Sequence, residues 1–328
     1  MGMSILRKAV AALAIAGAWF VAPVHAETWP GSEQVTIIVP YPPGTEPDIL
    51  ARDLGFHLNE ATGKVFVIEN RPGANAIIGT TAVTRAAGDG NTLLMVDRLS
   101  LVTNPLLYKS LSYDWRKDLK PVTNVGGVSL FLALKKDSPA NTFAEFIDMA
   151  RKAPGEVNIG TGGKGHVTHL GMEALAQAEG VSFTYVPYKG VAPAMNALLA
   201  GETDGMLAGG LVVSQQAKAG KIKVVAIGAD KRSDFLPDVP TLKEAGGKPG
   251  SIPSTAFTLV VPGATPDTVV AQINAAVAKV MEVPALRNAY EARGLTVNVT
   301  SPQETLAQMN QEAERYQKLV DKLGLKPE

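Results

Sequence analysis

The 328-residue sequence contains no cysteine. Disulfide cross-links, thiol chemistry and lipidation at an N-terminal cysteine are therefore excluded. Charge of one sign is equally lacking, since 31 Lys and Arg balance 31 Asp and Glu. Nucleic-acid binders concentrate Lys and Arg on one face, and nothing here suggests a polyanion partner. There is no G-x-S-x-G, no H-E-x-x-H, no repeat of 20–50 residues and no low-complexity tract. Beyond residue 26 no apolar run reaches the length of a membrane span.

What is present begins with a leader. Arg7 and Lys8 precede an apolar run over 9–21, and Val24-His25-Ala26 offers a small-residue cleavage site. This order reads as a secretory signal peptide cleaved after Ala26, rather than as a buried N-terminal helix. The mature chain, with 29 basic and 31 acidic residues, is expected to be exported and soluble. About 300 residues can bury a large core, and two such cores are expected.

The stretch 35–52, VTIIVPYPPGTEPDILAR, sets the pattern. Val35, Ile37, Ile38 and Val39 read as a buried strand, and Tyr41-Pro42-Pro43-Gly44 stops it. Thr45 suits an N-cap, Pro47 the first helical turn, and Asp48 the helix dipole. A strand, a tight turn and a helix with free N–H groups facing the turn make an anion site. The unit recurs at 157–178, where a short strand leads through Gly160-Thr161-Gly162-Gly163-Lys164-Gly165-His166 into a helix. Strands are also expected at 64–68, 92–96, 128–134, 183–186, 204–207 and 224–229, alternating with helices at 79–87, 142–152 and 193–199. Near the C-terminus, Thr265 is read as capping a helix from Pro266. Ser301 and Glu304 form a capping box for another, with Leu306, Met309, Tyr316, Leu319 and Val320 as its buried stripe. In parallel sheets ligands sit beyond the carboxyl ends of strands, which directs attention to 41–45, 75–78 and 97–100.

Three motifs invite other chemistry. Gly160, Gly162 and Gly165 satisfy G-x-G-x-x-G, but Glu179 lies ahead of the next strand instead of at its end, and no nucleotide cofactor is expected. His166, His169 and Glu173 can share a helix face; without a further ligand they read as a cleft-lining and a hydrogen-bonded histidine, not as a zinc site. Arg98, just past the strand at 92–96, is a candidate to hold a carboxylate bidentately, the alternative being a surface pair with Asp97.

Several stretches together carry a resemblance. The 35–52 segment, ENRPGANAIIGT, GDGNTLLM, NPLLYKSLSYD, GTGGKGHVTHLG, YVPYKGVAPAMNALLAGETD and LPDVPTLKEAG resemble, in the same order, the extracytoplasmic receptors of tripartite tricarboxylate transporters, or Bug-type solute-binding proteins. The resemblance implies a periplasmic-binding-protein-like α/β fold. Two lobes with mixed, mostly parallel sheets would be joined by two crossing strands, near Val128 and at 224–229. Residues 27–127 with 229–328 would form one lobe and 128–228 the other. It also implies capture of a small organic carboxylate and delivery to membrane permease subunits, with an exported enzyme or a sensor subunit as alternatives.

Carried over, the first loop is Tyr41, Pro43, Gly44, Thr45 and Asp48, and the second Thr161, Gly162, Gly163, Gly165 and His166, with Tyr188 and Asp204 near the rim. Asn75 and Arg98 complete the expected ligand set; no catalytic or metal-binding residue is expected. The sequence departs from the family at Thr45 and Pro47, which replace a glycine and a threonine, at Asn75-Ala76-Ile77, and at His166. If His166 meets the carboxylate, the anion should raise its pKa and strengthen binding below about pH 6.5.

Overall fold

A computed structural model describes residues 29–32, 34–234, 236–292, 294–324 and 327. The signal segment lies outside them. The chain opens with β1 (Gln34–Val39), α1 (Glu46–Thr62), β2 (Val65–Asn70), α2 (Ile77–Thr84), β3 (Thr92–Asp97), α3 (Arg98–Leu107) and the short α4 (Trp115–Asp118). β1 pairs in parallel with both β2 and β3. Its Val35, Ile37, Ile38 and Val39 are buried, as expected of a strand covered on both faces.

The next element, β4 (Leu119–Lys135), is seventeen residues long and belongs to two sheets. It follows directly on α4, so the strand expected to begin at 128 starts nine residues earlier, with the polar Lys120, Thr123 and Asn124 inside it. These residues and the glycines at 126 and 127 conceal the strand from a search for branched apolar runs. The chain then builds α5 (Phe143–Lys152), β5 (Asn158–Thr161), α6 (Val167–Glu179), β6 (Thr184–Pro187), α7 (Val191–Ala200), β7 (Gly205–Gly209), α8 (Gly210–Lys218) and β8 (Ile222–Ile227). β5 lies parallel between β6 and β7. β7 and β8 flank the far end of β4, antiparallel to it, over Leu130–Leu134 and Phe131–Lys135 respectively.

The strand expected to run back to the first half, 224–229, thus stays on the second sheet. Residues 228–234 and 236–253, broken by Pro237, Pro240, Pro249 and several glycines, remain beside it: Leu242 donates to Ile227, and Lys248 to Glu179 of α6. The return is made by β9 (Ser254–Pro262), which pairs antiparallel with β3 and with β4 from Leu119 to Ser129. α9 (Asp267–Met281), α10 (Pro284–Glu291), β10 (Leu295–Thr296) and α11 (Pro302–Leu323) complete the chain. Pro266, not Thr265, is the N-cap of α9; the Thr265 hydroxyl is buried without a partner. The capping box of α11 forms as expected. Met309, Tyr316, Leu319 and Val320 are buried, whereas Leu306 is 41% exposed.

The turn before α2 is strained. Ala74, Asn75 and Ala76 all have left-handed φ values of 47°, 48° and 71°, where a Cβ is unfavourable. Ala74 is exposed, so its methyl group contributes little packing. Ala74→Gly should therefore raise stability by about 1 kcal/mol in denaturant unfolding. A decrease would mean that this backbone is not left-handed at Ala74.

Candidate functional site

β1, β5 and β7 each run at their carboxyl ends into a glycine-containing turn. Loop 1 follows β1. Three prolines at 40, 42 and 43 end the strand, and Gly44 takes φ 79°. The loop is organised by Asp48, which is 2% exposed. Its Oδ2 accepts from Gly44 N at 2.9 Å and Arg52 Nε at 3.1 Å; its Oδ1 accepts from Arg52 Nη2 and Asn70 Nδ2, both at 2.9 Å. Burial raises the pKa of this carboxyl, but the bonds from Arg52, Gly44 and Asn70 outweigh it and hold it below the ordinary value. The amide expected for a guest anion at Gly44 is thus taken by the loop's own carboxylate, and Pro47 brings no N–H. Thr45 caps α1 through its backbone only, because its hydroxyl donates to Pro42 O at 2.7 Å. The Tyr41 hydroxyl turns inward and accepts from Asp97 N at 3.1 Å.

Loop 2 follows β5 and is tied by two side-chain relays. Gly162 N donates to Thr168 Oγ1 at 2.9 Å, and that hydroxyl lies 3.0 Å from His166 Nδ1. Thr168 N also donates to His166 Nδ1, at 3.3 Å, so His166 is the N-cap of α6. One assignment satisfies all three contacts: Nδ1 accepts and the neutral ring carries its proton on Nε2. The second relay joins Gly165 N to His169 Nδ1 at 3.1 Å. Burial lowers the pKa of both rings to about 4. Among the described residues the N–H groups of Gly163 and Val167 have no intramolecular acceptor. Gly163 has φ 133° and Gly165 φ 74°, conformations that need glycine at both places.

The two halves meet at these turns. A Cβ on Gly165 would lie 2.3 Å from Leu107 Cδ1, at the end of α3, so loop 2 packs directly on the first half. In return, Glu46 Oε2 of α1 lies 3.7 Å from the place of a Cβ on Gly209. Gly209 and Gly210 form a third turn, from β7 into α8, whose N-terminus no side chain caps. Sequence reading passed over it, although two adjacent glycines after an apolar strand were the available signal.

Other expected ligand residues are engaged elsewhere. Arg98 is 8% exposed and projects onto α11, where Nε and Nη2 meet the two oxygens of Glu312 at 2.9 and 2.7 Å and Nη1 meets Gln308. It is neither in loop 1 nor paired with Asp97, whose Oδ1 accepts from Leu99 N and Thr255 Oγ1. Asp204 precedes β7 at the amino ends of the strands, holding Asn158 N and pairing with Lys135 at 2.7 Å. Loop 2 lies at the opposite, carboxyl end of β5, which removes Asp204 from the rim. Asn75 Nδ2 is committed to Asn104 Oδ1 at 2.8 Å. Tyr188 N donates to Thr161 O at 2.9 Å, beside loop 2, while its hydroxyl reaches Glu202 at 3.3 Å. Among the described residues no group of three His, Asp or Glu is placed to hold a metal ion.

Paired α/β units joined by two crossing strands, with glycine turns where the halves meet, define a periplasmic-binding-protein fold. The model of the tripartite tricarboxylate transporter family receptor matches residues 50–325, and the chain belongs to that family. Protein BugT of Bordetella pertussis is 31% identical over 319 residues, covering 97% of each chain. The solved structure of R. palustris Rpa4515 with adipate is 30% identical, covers 92% of this chain and 100% of that one, and superposes with a TM-score of 0.82. MatC from Rhodopseudomonas palustris, with bound malate, is also 30% identical, with coverages of 88% and 98% and a TM-score of 0.77. The family is one of periplasmic solute-binding receptors and not of enzymes.

The Arg98–Glu312 pair gives a direct test of its role. Arg98→Ala strands a largely buried carboxylate and should cost roughly 3 kcal/mol in thermal or denaturant unfolding. The double variant Arg98→Met with Glu312→Leu should recover most of that and leave solute binding intact. A stable double variant that has lost binding would return Arg98 to the ligand site.

Proposed function

We propose that this receptor is exported by its signal segment, holds a small organic carboxylate between two lobes, and delivers it to membrane permease subunits. One lobe comprises 27–129 with 254–328 and the other 130–253. The second boundary follows the return of the chain at Ser254 instead of 229. The hinge lies where β4 passes from β9 to β7 and β8, and where β9 begins.

The observation that carries this reading is the packing of the second half's glycine turns, at Gly165 and Gly209, on α3 and the start of α1, with the N–H groups of Gly163 and Val167 unclaimed among the described residues. A helix N-terminus carries about half a positive charge, so neutral donors suffice for a carboxylate. The His166 Nε2 proton supplies a further donor without a cationic ring. Thr161, Gly162 and Gly165 shape loop 2, while Pro43, Gly44, Thr45 and Asp48 shape loop 1 more than they touch the guest. Contacts made from both lobes favour the closed arrangement, and only that differential affinity shifts the population. Adipate and malate, held by the two solved relatives, set the size class of carboxylate to try first.

A thermal-shift and calorimetric screen of mono-, di- and tricarboxylates tests the reading. One or more should bind saturably, and free ligand at 100 times its Kd stabilises by about 2.7 kcal/mol. Because the free His166 ring titrates at about 4, a bound carboxylate raises its pKa from there. Affinity is then flat from about pH 6 to 8, without the strengthening below about pH 6.5 expected from an ordinary histidine. Saturable binding of a non-acidic solute, with every carboxylate inert, would overturn the proposal.

A further inference from the structure

Loop 2 is held from behind by polar side chains that carboxylate capture alone does not require. One turn of α6 brings His169 under Gly165, four residues earlier, where Nδ1 accepts the Gly165 N–H. An accepting Nδ1 leaves the ring proton on Nε2. Nε2 faces Glu173 Oε1 at 3.9 Å, one further turn along the helix. Glu173 is partly buried near Tyr185 of β6, whose buried hydroxyl has no hydrogen-bond partner among the described residues. The Tyr185 ring stands edge-to-face against the imidazole, with 4.9 Å between centroids. Behind this group lies a cavity of about 330 Å³, lined by Glu173, Phe183, Tyr185 and Lys322 of α11. Loop, imidazole, carboxylate and phenol thus form one row from the candidate ligand site to the back of the second sheet.

We propose that His169 is the positioning residue of loop 2: through Gly165 it fixes the loop that presents the Gly163 and Val167 N–H groups, and protonation of its ring releases that loop. The ligand it serves rests on the carboxylate-receptor reading; the loop it holds does not. A protonated ring would turn an Nδ1 donor toward the Gly165 donor, and two donors cannot share a hydrogen bond. Gly165 has little room to adapt, since its φ of 74° and the close Leu107 side chain confine it.

The groups facing the imidazole set the pH at which this happens. Lys164 and His166 face it from loop 2, Glu173 from α6 and Tyr185 from β6, while Lys322 of α11 shares the cavity with Glu173. Burial first, then the charges of Lys164 and His166, lower the ring's pKa to about 4, so it is neutral at pH 7. The folded value lies below the unfolded one of about 6.5. The stabilisation from the neutral ring is therefore complete above pH 6.5, and is lost as pH falls through about 4.

The test is amide hydrogen exchange at Gly165, followed by NMR on the whole protein as protection factors from pH 7 to 4. His169→Phe keeps a ring without an acceptor, and His169→Asn offers Oδ1 in place of Nδ1 without a titrating group. At pH 7 His169→Phe should lower Gly165 protection about tenfold, with His169→Asn within about twofold of wild type. Between pH 5 and 4 the wild type should lose this protection and His169→Asn should keep it. Unchanged Gly165 protection in His169→Phe, or a wild-type pH profile in His169→Asn, would overturn the proposal. If His169→Phe does not fold, the pH profile of His169→Asn decides alone. Titration of adipate and malate into the same samples separates the two readings: failure of both to bind wild type counts against a carboxylate of this class, while the exchange profile still decides the role of His169.

Discussion

The fold depends on β4 being shared. From Leu119 to Ser129 it lies against β9, and from Leu130 onward it lies between β7 and β8. Almost every residue along it is buried, so neither sheet is complete without it. Register shifts near Pro121, Asn124 and Leu132 mark bulges, the usual means by which a strand bends without losing its partners. One continuous strand therefore fixes how the turns of the two sheets face each other. With β9 returning beside it at Ser254, the chain crosses between the sheets twice and is held there by backbone hydrogen bonds.

The two loops solve the same problem differently. Loop 1 fills its own helix terminus with the Asp48 carboxylate, stabilised by Arg52, Asn70 and the Gly44 amide. Loop 2 has no internal acid and is braced by neutral histidine nitrogens, which accept hydrogen bonds without adding charge. The first is a rigid wall and the second an open cradle. The anion contacts proposed above therefore fall on the N-terminus of α6, where the dipole is not already compensated.

Much of this was legible in the sequence because it is local. Branched residues at 35–39, the proline–glycine stop, the Gly-rich turn at 160–165 and the Ser301–Glu304 box each depend on neighbours within a few positions. The family resemblance, carried by motifs along the whole mature chain, supplied the architecture. What failed was long-range. Arg98 lies 214 residues from Glu312, and only packing of α11 on α3 brings them together. Asp204 was placed near the rim by the family resemblance, but direction along β7 puts it at the far end of the sheet. The crossing at Ser254 was hidden behind the irregular residues 228–234 and 236–253, which keep to the second sheet without forming a named strand. Leu306 shows the limit of helical periodicity, which marks a stripe without saying where its edge meets solvent.

The central claim is that a carboxylate held by both halves draws them together about β4. The absence of cysteine makes this measurable with two engineered thiols, Ala61→Cys on α1 and Lys218→Cys on α8, both at exposed positions. Spin labels there report the distance between the sheets by pulsed electron resonance. Saturation with a binding carboxylate should shift the distance distribution and narrow it. An identical distribution with and without a saturating carboxylate would contradict the account.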